Sequence, residues 1–165
     1  MNMQTLQTLR RDAEDICRSA ILSSVPDAAV QRALAQLPPC AGRTVLISIG
    51  KAGWQTAKAA YDALGDTVDR GVVVTKYGHS RGPIGDFEIC EAGHPVPDEN
   101  SVRAAEAAVA AVRGLEPRDR VLFLVSGGGS ALFEQPRVPL AELEDITGQM
   151  LACGADITQI NTIRK

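Results

Sequence analysis

The sequence predicts an α/β fold: a doubly wound parallel sheet with helices on both faces, preceded by two N-terminal helices. Three observations lead there. Short, β-branched apolar runs at Val45–Ile49 and Gly71–Thr75 have the form of strands buried on both faces. Stripes of apolar residues at helical spacing lie between such runs. Strand and helix alternate along the chain, which favours a parallel sheet covered on each side. At 165 residues the chain suits one domain over 1–165, and 45% apolar residues argue against general disorder. Aromatic residues are only 4%, so the core is built from Ala, Val, Leu and Ile, as close helix-on-sheet packing requires.

Taken in order, Leu6, Leu9, Ala13, Ile16 and Ala20 predict a first helix. Val30, Ala33, Leu34 and Leu37 predict a second, with Ser24 as N-cap, an early proline and Asp27 in the first turn, stopped by Pro38-Pro39. After strand Val45–Ile49, Trp54, Ala57, Tyr61 and Leu64 form a helical stripe. Gly71–Thr75 follows as a strand and Phe87–Cys90 as a weaker one. Val102, Ala105, Val109 and Val112 predict a helix capped by Asp98. Val121–Val125 is the clearest strand, and Leu140, Leu143, Thr147 and Met150 a helix with Pro139 at its first position. Beyond Asp156 no terminating signal is visible, and a new element begins near Asn161 and stops, which suggests a truncated chain.

Composition excludes several functions. The net charge is −3 and no long basic run occurs, so nucleic acid is not an expected partner. No apolar run reaches signal-peptide or bilayer length, so a cytoplasmic protein without a membrane partner is expected. Cys17, Cys40, Cys90 and Cys153 contain no C-x-x-C pair and read as reduced, mostly buried thiols. With two histidines, a histidine-rich metal site is not expected.

In an open α/β sheet, ligands bind beyond the carboxyl ends of the strands, and four loops fall there. Gly50-Lys51-Ala52-Gly53 opens a helix directly after the first strand. Its N–H groups, its glycines and the Lys51 charge suit an anion, although a tight turn with a solvated lysine is the plain alternative. Ser126-Gly127-Gly128-Gly129-Ser130 follows Val121–Val125. Successive N–H groups there can form an anion nest, with the two serine hydroxyls as further donors. Gly93-His94-Pro95-Val96-Pro97-Asp98 is stiffened by prolines that fix His94, a candidate anion donor or acid–base group. Thr75 to Gly82 gathers Lys76, His79 and Arg81, as suited to a solvated basic loop as to a ligand contact.

Some absences count as well. There is no P-loop signature, no G-x-G-x-x-G after the first strand, and no G-x-S-x-G. The second strand ends in Thr75-Lys76 instead of the acid that holds an NAD ribose, so a standard NAD site is disfavoured.

Five segments, in order, resemble the N-terminal region of the glycerate 2-kinase family, whose members are often labelled hydroxypyruvate reductases. They are Gly50–Gly53, Val73–His79, Glu91–Asp98, Ser126–Leu132 and Gly154–Ile157 with Asn161–Lys165, and they span nearly the whole chain. The resemblance implies ATP-dependent phosphorylation of D-glycerate to 2-phosphoglycerate with Mg²⁺. It also implies a longer protein, in which a Rossmann-like N-terminal domain precedes a second α/β domain and the active site lies between them. This chain would be the first domain, the missing C-terminal domain its partner, and the fragment alone inactive. Lys51 would then be catalytic, stabilising charge on the substrate carboxylate or the transferring phosphoryl. Gly50, Gly53 and Ser126 to Ser130 would cradle phosphate or substrate, with His94 and Lys165 as secondary contacts. No acidic cluster marks a magnesium site, and the base for the glycerate hydroxyl is unassigned. A homodimer stays open. Two other readings compete: an NAD(P)H-dependent hydroxypyruvate reductase, weakened by the missing dinucleotide fingerprint, and a non-catalytic sugar-phosphate or organic-acid binding module.

Overall fold

The computed structural model describes residues 3–164. Its elements are α1 (Met3–Ser24), α2 (Asp27–Leu34), β1 (Thr44–Ile49), α3 (Gly53–Leu64), β2 (Arg70–Lys76), β3 (Glu88–Ala92), α4 (Glu99–Val112), β4 (Arg120–Val125), α5 (Gly129–Leu132), α6 (Leu140–Ala152) and α7 (Ile157–Arg164). The four strands form one parallel sheet in the order β3-β2-β1-β4. The chain therefore winds outward from β1 through β2 to β3, then crosses back to place β4 on the other side of β1. This is the expected doubly wound arrangement.

Burial of β1 and β2 explains their composition. Every residue of β1 is buried, as are Gly71 to Thr75 of β2, so each strand needs apolar side chains on both faces. On one face Leu46 and Val73 pack with Trp54, Ala57 and Ala60 of α3, and α2 adds Val30 and Leu34. Ile84, from the loop between β2 and β3, is buried in the same cluster. On the other face Val45, Ile47, Val72 and Val74 meet Ala104, Ala108 and Ala111 of α4. The face that α4 buries is thus Ser101, Ala104, Ala105, Ala108 and Ala111. The expected stripe holds in part: Ala105 is buried and Val112 packs against the core, but Val109 is exposed, because only small side chains fit where the helix lies against the sheet.

Four further differences have clear causes. Ser24 does not cap α2. Its hydroxyl donates to the Ala20 carbonyl within α1 (2.8 Å), and Pro26 stands at the N-cap with no side-chain bond. β4, the clearest strand in the sequence, lies at the edge of the sheet among the described residues, and its Val121, Phe123 and Val125 are exposed. The last element starts at Ile157 and not near Asn161, because Asp156 accepts from the Gln159 N–H while Gln159 accepts from the Asp156 N–H, both at 2.9 Å. The cysteines are free thiols, but Cys17 and Cys153 are exposed and Cys40 and Cys90 only half-buried.

No residue of α1 is buried, and Met3, Ile16, Ile21 and Leu22 are exposed along it. Helices α6 and α7 pack on each other, with Leu143, Thr147, Met150 and Ile160 buried. Among the described residues no helix is long and apolar enough to cross a membrane.

Candidate functional site

The loops after β1 and β4 face each other where the strand order reverses, the crevice at which such sheets bind ligands. Backbone bonds stitch them together. The Gly50 N–H donates to the Val74 carbonyl (3.0 Å), the Lys51 N–H to the Gly127 carbonyl (2.9 Å), and the Ser126 N–H to the Ile49 carbonyl (2.9 Å). Gly50 has φ +112°, and a Cβ there would come 2.3 Å from the Ser126 Oγ, so only glycine allows the two loops to meet.

The Ser126 hydroxyl belongs to this stitching. It accepts from the Ala52 N–H and donates to the Ile49 carbonyl, both at 3.1 Å. Its one hydrogen is engaged, so it ties the loops together instead of donating to a ligand as the sequence suggested. Gly53 opens α3, and its carbonyl accepts from the buried Ser48 hydroxyl at 2.8 Å. The N–H groups of Gly127, Gly128, Gly129 and Ser130 donate to no acceptor among the described residues. An anion nest was the expectation for this loop, and N–H groups without a protein acceptor are what such a nest requires. The Ser130 carbonyl accepts from Arg164, which also pairs with Glu134. Lys165 lies outside the described residues.

The other two loops close on the same point. Gly128 has φ +91°, and a Cβ on it would stand 2.9 Å from Cδ2 and Nε2 of His94 and 3.2 Å from Cγ of Lys51. Gly128 thus marks the junction of Lys51, His94 and the glycine loop. The Lys51 carbonyl accepts from His79 Nδ1 (2.9 Å) and from the Thr75 hydroxyl (3.4 Å). A carbonyl can only accept, so Nδ1 of His79 carries the proton in this bond. Lys51 is exposed and pairs with no carboxylate among the described residues.

Electrostatics follow from this crowding. Burial pushes the His94 imidazole below its ordinary value, and the neighbouring Lys51, Lys76 and His79 push it further down, against a smaller opposing effect of its own backbone bond. His94 is therefore neutral near pH 7. Asp98 holds the loop that carries it. The Asp98 carboxylate accepts from the Ser101 N–H (3.0 Å) as the cap of α4 and from the Tyr77 hydroxyl (2.7 Å). Burial alone would raise this carboxyl, but the bonds from Tyr77, Gly93 and Ser101 outweigh it and hold it below the usual range. Tyr77 is correspondingly raised, first by its bond to Asp98. Lys76 and His79, from the loop left open between a solvated basic segment and a ligand contact, lie beside the site. Their position after β2 was the available signal, but it could not show that His79 reaches the Lys51 backbone.

The chain is similar to proteins of known sequence and structure. A D-glycerate 2-kinase from Thermotoga maritima is 49% identical over 161 residues, covering 96% of this chain and 38% of that protein. An Agrobacterium vitis protein with the provisional name hydroxypyruvate reductase is 46% identical over 162 residues, covering 96% of this chain and 35% of its own length. A Thermotoga maritima glycerate kinase crystal structure superposes with a TM-score of 0.84 at 49% identity, over 96% of this chain and 38% of that one. The chain thus spans little more than a third of the length of these relatives. The model of a domain of unknown function, DUF4147, matches residues 12–165, and the chain belongs to that family.

Proposed function

We propose that this chain forms one wall of the active site of a kinase that transfers the γ-phosphoryl of ATP to D-glycerate, giving 2-phosphoglycerate. A domain corresponding to the rest of its relatives' length would supply the facing wall, in a cytoplasmic enzyme. The observation that carries this reading is the convergence of an unpaired Lys51 with the open N–H row of Gly127 to Ser130 at the switch point of the sheet. Such a surface stabilises spread negative charge, which is the main demand of phosphoryl transfer. The names of the similar kinases support glycerate as the substrate.

In this reading Lys51 balances charge on the transferring phosphoryl or the glycerate carboxylate. The N–H groups of Gly127 to Ser130 hold phosphate oxygens, and Gly50 and Gly53 shape the loop that presents Lys51. His94, kept neutral by burial and the surrounding cations, can accept the proton that leaves the glycerate hydroxyl. Lys165 is proposed as a further anion contact. Mg²⁺ would accompany the nucleotide. Among the described residues no group of three or more His, Cys, Asp or Glu could hold such an ion, so no step here runs through it.

The test is ADP formation with D-glycerate, Mg²⁺ and ATP by a protein that carries both walls, since this chain alone is expected to be inactive. Glycerate-dependent release supports the kinase; release independent of glycerate, or none, refutes it. NAD(P)H oxidation with hydroxypyruvate would instead establish the reductase. That outcome is disfavoured by the end of β2, where Thr75 is buried and Lys76 follows in place of a ribose-binding acid.

A further inference from the structure

We infer that the cleft between the end of α1, the start of α3 and the loop after β2 takes the base and ribose of a nucleoside phosphate, with the phosphates running toward Lys51 and the glycine loop. The inference rests on the kinase reading and deepens it by placing the nucleotide.

The cleft has a volume of about 720 Å³. That is the size of pockets that hold drug-sized ligands, and far more than a three-carbon acid fills. Its two sides differ in chemistry. One wall is apolar, made by Ile21, Val25 and Pro26, with Trp54 at its base. The other carries Lys51, His79 and Arg81, and no Asp or Glu lines the cleft. Arg81 lies 5.9 Å above the Trp54 ring and pairs with no carboxylate among the described residues. A ligand that satisfies both walls is an anion with a flat apolar part. Because the cationic wall is continuous with Lys51, the anionic end must point to the site already described.

The neutral polar side chains along the cleft are already engaged. The Trp54 Nε1–H donates to the Gly82 carbonyl at 2.7 Å. The Gln55 amide donates to both Asp27 carboxylate oxygens, and its oxygen accepts from Arg81 at 3.2 Å. The Ser24 hydroxyl is turned back onto the Ala20 carbonyl. These neutral side chains are committed within the protein, and the groups left over are the cationic Lys51 and Arg81 with His79, which face the phosphates, so the cleft accepts a base by its plane and discriminates weakly between bases.

Trp54 is the single tryptophan of this chain, so its fluorescence reports on this cleft. ADP is titrated against the protein with emission and calorimetric heat followed together, and D-glycerate serves as the control. The expected result is an ADP-dependent change in Trp54 emission that tracks the heat, with no change from D-glycerate alone. Arg81→Ala and Ile21→Asp should each weaken ADP binding by about 10-fold. Both should raise KM for ATP without raising KM for D-glycerate. Ile21 is 66% exposed, so the second variant keeps the fold even if the first does not. GTP should replace ATP within roughly 10-fold. ADP binding that leaves Trp54 silent, ADP binding unaffected by both variants, a base preference above about 100-fold, or no ADP binding at all would each overturn the placement. The kinase reading fails separately, on absence of glycerate-dependent ADP release, since the fluorescence readout needs no turnover.

Discussion

Gly128→Ala perturbs the junction of the site by one methyl group, and its effect can be worked from two terms. Gly128 sits at φ +91°, in the left-handed region, where a side chain costs about 1–2 kcal/mol. The added Cβ would also lie 2.9 Å from Cδ2 and Nε2 of His94, whereas carbon contacts settle near ~3.5–4.0 Å, so the ring must retreat by roughly 0.6 Å or more. The backbone term predicts a loss in Tm of roughly 2–8 °C for a chain of this size. The contact term predicts a displaced His94. Released from burial, its imidazole should titrate closer to its ordinary value, because burial is the first cause of its depression. A displacement approaching 1 Å also predicts a loss of kcat/KM of about 100-fold. Gly128→Asn separates the terms, since asparagine tolerates the left-handed region but still carries a Cβ: it should melt closer to the unaltered protein yet shift His94 as far as alanine does. Thermal melting and NMR titration of His79 and His94 measure both effects without any assumption about the reaction. An alanine variant with unchanged Tm and unchanged His94 titration would refute the geometry at this junction.

The other predictions concern the same loops. Lys51→Ala should lower kcat/KM for glycerate-dependent ADP formation by about 100-fold or more; near-normal rates would remove Lys51 from the site. Because His94 is depressed in the folded protein, the unfolded chain binds more protons below the ordinary imidazole value of about 6.5. Stability from this group is therefore complete above that value and is lost as pH falls toward the depressed one; urea midpoints against pH should show a fall that His94→Gln abolishes. Ser126→Ala removes two bonds between the β1 and β4 loops and should destabilise by about 1–3 kcal/mol in urea unfolding, where a purely ligand-facing hydroxyl would cost nothing. Asp98→Ala should cost about 1 kcal/mol through loss of the α4 cap. It should also let the Tyr77 phenol ionise at lower pH, seen by ultraviolet titration.

The sequence was most legible where burial left little freedom. β1 and β2 are apolar at most of their buried positions because both faces are covered, with Thr44, Ser48 and Thr75 the buried polar exceptions, and a run of that kind has one reading. The cap at Asp98 was visible because a short acceptor side chain preceded a helical stripe. Legibility ended where the outcome depended on distant partners. Val121–Val125 has the composition of a central strand, but among the described residues no other strand lies beyond it, and its outer side chains stay exposed. Ser24 had the right type and position for a cap, yet α1 ran on far enough to use its hydroxyl. In the site, the four loops could be found from the strand ends alone. That the Ser126 hydroxyl ties two of them, and that His79 reaches the Lys51 carbonyl, depends on contacts between segments remote in sequence.

The alanine face of α4 has a bearing on how the site can change. With Ala104, Ala105, Ala108 and Ala111 against the sheet, the distance between helix and strands is set by methyl groups. The same helix begins at Asp98, which anchors the loop of His94. The helix is therefore a lever with its fulcrum in the core and the imidazole beyond its end. Replacing a buried alanine by valine would tilt it and move His94 relative to Lys51 without altering any residue of the site. Core volume thus acts as a remote adjustment of reach.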